Sequence, residues 1–302
     1  MQKYKPLVFT ILCLLCLSGI AAFSTVKSQI SQSALSINAD GSITPSTAPI
    51  TVVGNVYTLT ANISASMLVH RSNIMIDGAG FALLGSGGTG IDLTNNITQV
   101  PSPQEIWNVT IKNLAILGFH FGVNTNGGGN NTLYDDYVLT SMSDSSAAVL
   151  FWDCSGNNVS YCNLVSNSTV EMQFGSNHNS ITKNNIDGNV WVEMVANDET
   201  VDGNYWSDYL TVYPNATEIA GTGIGNTPYA FYNYTNTQSG LSKTPLYDHD
   251  PQINPVVTPL FSTLTVTHLA SAVPELSSLV ILPLLLSVFS VAVIVSIRKP
   301  LS

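Results

Sequence analysis

The sequence predicts an all-β protein, a right-handed parallel β-helix with an N-terminal signal peptide and a C-terminal transmembrane helix. Three observations predict it. A short apolar pattern recurs every 20 to 26 residues, Asn and Gly punctuate the pattern, and long apolar runs lie at both ends of the chain. The 302 residues include 28 Asn and 22 Gly, and only 9% are charged. Because 45% of the residues are hydrophobic, the low charge does not indicate disorder.

The repeat consists of an apolar residue, a second apolar residue five positions later, and Asn close to both. Its first apolar residues, separated by 24, 26, 22 and 20 positions, are Val109, Leu133, Val159, Ile181 and Val201. An earlier copy at residues 73–76 precedes them by 35. Helical solenoids need longer repeats with 3.6-residue periodicity, and leucine-rich repeats need several Leu per copy, so the period favours a β-helix. Asn side chains stacked on successive turns can hydrogen-bond along the solenoid, and we interpret most of them as structural.

The two ends of the chain predict export and anchoring. Lys3 and Lys5 precede an apolar run and small residues, which is the layout of a signal peptide at residues 1–27, with an uncleaved anchor as the alternative. Residues 276–297 carry no charge and are long enough to cross a bilayer. Arg298 and Lys299 follow, which places the tail in the cytoplasm and the rest of the chain outside. The predicted localisation is the cell surface.

The remaining boundaries follow from the repeat. We predict an N-terminal lead-in at residues 28–49, the β-helix at 50–210, a C-terminal capping segment at 211–252, a linker at 253–274, and the transmembrane helix or sorting signal with its basic tail at 275–302. Cys154 and Cys162 are the only cysteines outside the leader, and whether they form a disulfide stays open.

Several segments resemble NosD-like right-handed β-helix proteins of the archaeal cell surface. They are residues 55–60 (Asn-Val-Tyr-Thr-Leu-Thr), 77–80 (Asp-Gly-Ala-Gly), 90–93 (Gly-Ile-Asp-Leu), 108–113, 203–209 (Gly-Asn-Tyr-Trp-Ser-Asp-Tyr) and 223–229 (Gly-Ile-Gly-Asn-Thr-Pro-Tyr). Residues 273–276 (Val-Pro-Glu-Leu) before the last apolar run resemble an archaeal PEF-type sorting signal, from which the helix is removed. The resemblance implies a family labelled periplasmic copper-binding, which overlaps β-helices of carbohydrate-binding proteins and sugar hydrolases.

No cofactor is required by the sequence, and calcium and copper are the candidates that the resemblance implies. Copper prefers Met, Cys and His, yet these residues are scattered without any His-X-His or Met-X-Met cluster. In the loop at 214–222, where members of the family carry acidic residues, only Glu218 has a charge, which argues against calcium there. Asp248, His249 and Asp250 are weak candidates for a metal site, because three consecutive residues cannot all face one ion.

A polar strip on neighbouring strands is the candidate active or binding site. Counting back from Asn at 157, 177 and 197 makes Asp153, Gln173 and Glu193 equivalent, whereas a shift of two residues stacks Glu171 over Glu193. Carboxylates one turn apart would lie about 5 Å apart, a separation that suits a retaining glycosidase. Trp152 and Trp191 flank the strip and could stack on a sugar ring. The absence of a nearby cation other than Lys183 argues against stabilisation of an anionic transition state.

Charge and sequons complete the functional prediction. Between residues 28 and 274 there are four cations and 18 acids, a net charge of −14, so nucleic acid would be repelled. We predict a non-catalytic adhesion or carbohydrate-binding protein whose partners are surface polysaccharides or envelope components. A polysaccharide lyase, hydrolase or epimerase is the first alternative, and envelope copper handling is the second. Candidate glycosylation sites in Asn-X-Ser/Thr sequons are Asn62, Asn96, Asn108, Asn130, Asn158, Asn167, Asn215 and Asn233.

Overall fold

A computed structural model describes residues 34–94, 105–141, 143, 145–193, 198–237 and 240–258. Over these residues the chain forms a right-handed parallel β-helix of about six turns, which confirms the predicted all-β solenoid. The predicted signal peptide and C-terminal helix, and the sequon at Asn96, lie outside the described residues. Among the described residues, none of the helices is long and apolar enough to span a bilayer.

The strands of successive turns stack into three faces. The first, the ladder face, comprises β3 (Ile50–Val53), β4 (Val56–Leu59), β6 (Ile74–Asp77), β9 (Val109–Lys112), β12 (Thr132–Tyr134), β15 (Asn158–Ser160), β17 (Ser180–Thr182) and β19 (Thr200–Asp202). The second, the short face, comprises β7 (Ala82–Leu84), β10 (Ala115–Phe119), β13 (Tyr137–Thr140), the first parts of β16 (Asn163–Gln173) and β18 (Asn185–Glu193), and β20 (Tyr205–Trp206).

The third face, the aromatic face, contains the longer strands. It comprises β2 (Ile43–Thr44), β1 (Leu35–Ile37), β5 (Met67–Val69), β8 (Thr89–Asp92), β11 (Phe121–Asn126), β14 (Ala147–Trp152), the second parts of β16 and β18, β21 (Tyr229–Thr237) and β22 (Gly240–Asp248). Strand β1 pairs in parallel with β5, so the solenoid's pairing begins inside the segment predicted as a lead-in. A four-residue helix, α1 (Tyr209–Val212), follows β20.

The core consists of inward-facing residues that stack in register from turn to turn. On the ladder face the buried column is Ile111, Leu133, Val159, Ile181 and Val201. Five positions later, the buried column of the short face is Ile116, Val138, Leu164, Ile186 and Trp206. The five-residue spacing is therefore confirmed, but Ile111, not Val109, is the equivalent of Leu133. Both residues are buried, and the two-residue alternation of a strand leaves a shift of two undetected in the sequence.

Each edge of the ladder face is a corner with left-handed backbone. The corner residues before the face are Asn108, Asn130, Gly156, His178 and Asp198, and those after it are Asn113, Asp135, Tyr161, Lys183 and Gly203, all with positive φ. Asn, Asp and Gly adopt this conformation at low cost, which explains why they are frequent in the repeat. The residue that follows each corner turns its side chain into the solenoid.

These inward-turned residues form two hydrogen-bonded ladders that run along the solenoid. In ladder 1 each backbone N–H donates to a side-chain oxygen of the next turn, at 2.7–3.0 Å, through Val109, Asn131, Asn157, Asn179 and Glu199. Ladder 2 follows the same rule at 2.9–3.0 Å, from Leu114 to Asp136 and from Cys162 through Asn184 and Asn204 to Asp248. The structural interpretation of Asn is confirmed for these residues, and both ladders end at a carboxylate.

The C-terminal end of the core is covered by the β21–β22 hairpin. Strand β21 pairs in parallel with β18, and β22 pairs with β21. The Tyr229 ring stacks on Trp206 with centroids 4.0 Å apart, and the Trp206 indole N–H donates to Asp248 at 2.9 Å. This hairpin therefore closes the last turn and holds the end of ladder 2.

Candidate functional site

The outer surface of the aromatic face carries the polar and aromatic residues predicted as a site. One column in register is Leu150, Glu171, Trp191 and Tyr232, and the next contains Trp152, Gln173, Glu193 and Tyr234. Alternate residues of these strands face outward, whereas Phe151, Met172 and Val192 between them are buried in the core. From here on, the strip means the seven outward residues of these two columns that begin at Trp152, namely Trp152, Glu171, Gln173, Trp191, Glu193, Tyr232 and Tyr234.

The register corrects both predicted alignments of the carboxylates. Gln173 and Glu193 share a column, but Trp152 rather than Asp153 precedes them, and Asp153 lies beyond the strand with φ 51°. Glu171 stands beside Trp191, so it does not stack on Glu193. The offset is 21 residues in one turn and 20 in the next, and the pairing of β16 with β18 contains register shifts. A fixed count of 20 could not detect that change.

Aromatic rings dominate the C-terminal half of the strip. Trp191 and Tyr234 stack with ring centroids 3.7 Å apart, and Trp152 stacks on Phe174 at 3.9 Å. The Lys243 ammonium lies 4.3 Å from the centre of the Tyr232 ring. The predicted flanking tryptophans are thus both on the strip, each paired with a second ring that the sequence did not indicate.

A groove of about 600 Å³ adjoins the strip at its C-terminal end. Its aromatic lining comes from β18, from β21 and from the residues around α1, and its polar lining comes from the corner between the short and aromatic faces. The residues that define it are Trp191, Tyr232, Tyr234, Tyr213, Tyr229 and Asn189. The groove therefore presents aromatic rings together with amide and hydroxyl groups, a combination that can contact both the apolar and the polar parts of a ligand.

The two carboxylates of the strip differ in their surroundings. The Glu171 Oε2 accepts a hydrogen bond from the Gln173 Nε2 at 2.9 Å. Burial raises the pKa of Glu171, and the neighbouring negative charge of Glu193 raises it further. Glu171 therefore holds its proton more tightly than an exposed glutamate does.

Sequence reasoning missed His120, which lies two turns before Glu171. The His120 Nδ1 is 2.9 Å from the Ser143 Oγ, and the Nε2 is 3.3 Å from the Ser145 Oγ. The electrostatic interaction with His120 acts to lower the pKa of the Glu171 carboxyl. His120 and Glu171 are 51 positions apart in the sequence, and only the three-dimensional stacking of turns relates them.

The candidate metal residues near the C-terminus have structural contacts. The Asp248 carboxylate is buried and accepts hydrogen bonds from the Gly203 and Asn204 amides and from the Trp206 indole, each at 2.9 Å. Burial raises the pKa of Asp248 to about 6. His249 and Asp250 are exposed, and their amides donate to Asp202. In the described part of the chain, no group of three or more His, Cys, Asp and Glu side chains could hold a metal ion.

The remaining predicted residues are dispersed. Cys154 and Cys162 are free thiols buried in the core, and burial raises the pKa of both. Met172 pairs with Val192 inside the core, and Met194 lies outside the described residues. Of the sequons, those that are exposed are Asn108, Asn130 and Asn215, and those that are partly buried are Asn62, Asn158, Asn167 and Asn233. Glycosylation stays a prediction.

Comparison with known proteins gives no match. No protein-family model matches the sequence, and no curated protein and no solved structure is significantly similar to it.

Proposed function

We propose that this protein binds glycan chains without cleaving them, through the strip and the groove. The observation that carries the proposal is the partly exposed aromatic surface formed by Trp191, Tyr232 and Tyr234 next to the side chains of Glu171 and Gln173. Flat rings cover the apolar face of a sugar, and amide or carboxylate oxygens accept hydrogen bonds from its hydroxyl groups.

Charge narrows the class of glycan. The exported part of the chain has a net charge of −14, and the strip contributes two carboxylates with Lys243 close by. Acidic polysaccharides would be repelled by this field. Chains of neutral or amino sugars are therefore the ligands that the surface suits best.

A cell-surface location completes the proposal. It is supported by the apolar segments at both ends of the sequence and by the basic residues that follow the second one. The resemblance of residues 203–209 and 223–229 to NosD-like proteins supports the same location and an archaeal origin. Copper handling, which that resemblance also implies, has no supporting observation among the residues that the structure describes.

The experiment is a binding titration of the full-length chain, kept in mild detergent, against neutral, amino and acidic polysaccharides. Loss of the ring in Trp191→Ala should weaken binding about tenfold or more, equivalent to about 1.4 kcal/mol. Tyr134→Ala is the matched control, because Tyr134 is an exposed ring (39%) on the ladder face. Equal effects of the two substitutions, or no binding to any polysaccharide, would refute the proposal.

A polysaccharide-active enzyme is the second candidate, and His120 is the observation that favours it. A carboxyl with a raised pKa and a second carboxylate are the groups that glycoside cleavage uses, and a histidine can serve as a further acid or base. We expect any product released from a neutral polysaccharide to disappear in both Glu171→Gln and His120→Asn. Asp187→Asn, which removes an exposed acid from the short face, should leave it unchanged. Absence of products in the wild-type protein would exclude this candidate.

A further inference from the structure

The Asn residues of ladder 2 act both as hydrogen-bond acceptors and as donors. The Asn184 amide donates from Nδ2 to the Val159 carbonyl at 2.9 Å, and the Asn204 amide donates to the Ile181 carbonyl at 2.9 Å. In both cases the acceptor lies in the ladder-face strand of the preceding turn. Each Asn also accepts a backbone N–H through Oδ1, so its two functions are both satisfied.

Asp136 occupies the same position two turns before Asn184. Its Oδ1 accepts the Leu114 N–H at 3.0 Å, as the Asn residues do in their turns. Its Oδ2 is buried and has no hydrogen-bond partner among the residues that the structure describes. By the register of the ladder face, the carbonyl equivalent to those of Val159 and Ile181 is that of Ile111. An ionised carboxylate has no hydrogen to donate to this carbonyl, whereas a carboxylic acid has the shape and the donor of an amide.

In the described part of the chain, the charged side chains that act on Asp136 are the carboxyls of Asp135 and Asp77, whereas the backbone N–H groups of Leu114 and Tyr134 favour its ionised form. Asp135 is adjacent in the same turn. Asp77 lies on the neighbouring turn, where its carboxylate forms an ion pair with the Lys112 ammonium at 3.2 Å. Cys162 follows in the next turn of ladder 2, and its sulfur accepts the Asp136 N–H. Burial raises the pKa of Asp136 well above its usual range, and the charges of Asp135 and Asp77 add to the effect. A buried charge without a partner costs several kcal/mol.

We propose that Asp136 is a neutral carboxylic acid in the folded solenoid, that its Oδ2–H donates to the Ile111 carbonyl, and that loss of this proton opens the solenoid at this turn. In the unfolded chain the same carboxyl ionises near pH 3.9. Because the folded state holds the proton more tightly, this contribution to stability is complete below that pH. It is lost as the pH rises towards the folded-state value.

The first test compares thermal unfolding of the full-length wild type, Asp136→Asn and Asp153→Asn from about pH 3 to about pH 9. Asn supplies the donor at every pH, so Asp136→Asn should unfold about 5 °C above the wild type at the alkaline end and close to it at the acidic end. The control Asp153→Asn removes an exposed carboxyl at a φ of 51°, where Asn is tolerated, and should follow the wild type. Parallel curves for Asp136→Asn and the wild type would overturn the proposal.

A second readout follows from the position of Cys162, which is fully buried beside Asp136. At alkaline pH, alkylation of Cys162, identified by mass spectrometry, should be about tenfold slower in Asp136→Asn than in the wild type measured at the same pH. Equal rates would contradict an opening at this turn.

Infrared spectroscopy keeps the proposal testable if Asp136→Asn fails to fold. The measurement uses Glu199→Gln, because Glu199 with its pKa of about 7 would contribute the same band. This variant at neutral pH should show the C=O band of a protonated carboxyl that disappears on titration to alkaline pH, and absence of that band would overturn the proposal.

Discussion

The ladder face and the aromatic face are built from the same turns but obey different rules. The later ladder-face strands, from β12 to β19, are all three residues long and keep one register, with a hydrogen-bonded ladder on each side. The aromatic-face segments are longer, and the pairing of β16 with β18 shifts register. The side-chain ladders hold the ladder face in one register. The aromatic face lacks such ladders among its described residues and carries Trp, Tyr and Glu on its outer surface. We infer that stability is concentrated at the first and binding at the second.

Removal of a ladder residue is the substitution expected to have the largest effect. Asn184→Ala removes the acceptor of the buried Cys162 N–H and a donor to the Val159 carbonyl, so we expect the free energy of unfolding to fall by about 3 kcal/mol. Asn126→Ala, at an exposed position on the aromatic face, should change it by less than about 0.5 kcal/mol. Urea denaturation measures both. Similar losses of unfolding free energy in Asn184→Ala and Asn126→Ala would contradict the division between the two faces.

Gly188 and Gly203 lie at corners and both have positive φ, but only Gly188 has another residue packed against it. In Gly188→Ala the added Cβ would clash with the Ser166 carbonyl, and we expect a loss of about 2–3 kcal/mol in unfolding free energy. Gly203 has φ of 70° and open space around it, so Gly203→Ala should cost only about 1 kcal/mol of backbone strain. Urea denaturation measures both losses. A larger loss in Gly203→Ala than in Gly188→Ala would contradict the close packing of Gly188 against Ser166.

Glu199 at the end of ladder 1 predicts a dependence on pH. Burial raises the pKa of Glu199 from 4.5 to about 7 in the folded state. The folded state therefore holds the proton more tightly, and stability falls as the pH rises between these two values. Because Glu199 is only partly buried, Glu199→Gln should recover about 1 kcal/mol at pH 8 and little at pH 4.

The control for Glu199 is its exposed neighbour. Asp198→Asn removes the same charge from a corner residue whose side chain is 77% exposed, so its unfolding free energy should follow the wild type across the pH range. A loss of the pH dependence in Asp198→Asn would assign the effect to general charge repulsion instead of to ladder 1.

The repeat and the solenoid could be predicted because they depend on local rules. Asn and Gly mark the left-handed corners, and the five-residue interval between Val159 and Leu164 reflects the corner between two faces. The strip was predicted only in part. Trp152, Glu171, Gln173, Trp191 and Glu193 are all outward on the aromatic face, but a one-residue change in turn length decides which of them are neighbours.

The contacts that the sequence could not provide join distant turns. His120 acts on Glu171 electrostatically from two turns away, and Tyr232 and Tyr234 pair with or stack on the strand of Trp191 from the closing hairpin. Nothing in the sequence indicates that Asp248 belongs to ladder 2, because it lies 44 residues from Asn204, whose backbone N–H it accepts.

The most direct test of the division between the two faces is a paired measurement on Trp191→Ala and Asn184→Ala. For each variant, the dissociation constant for a neutral or amino polysaccharide and the free energy of unfolding are measured under the same conditions. We predict that Trp191→Ala weakens binding about tenfold and lowers the unfolding free energy by less than about 1 kcal/mol, while Asn184→Ala lowers stability and leaves binding by the folded protein unchanged. Wild-type affinity in Trp191→Ala would contradict the account.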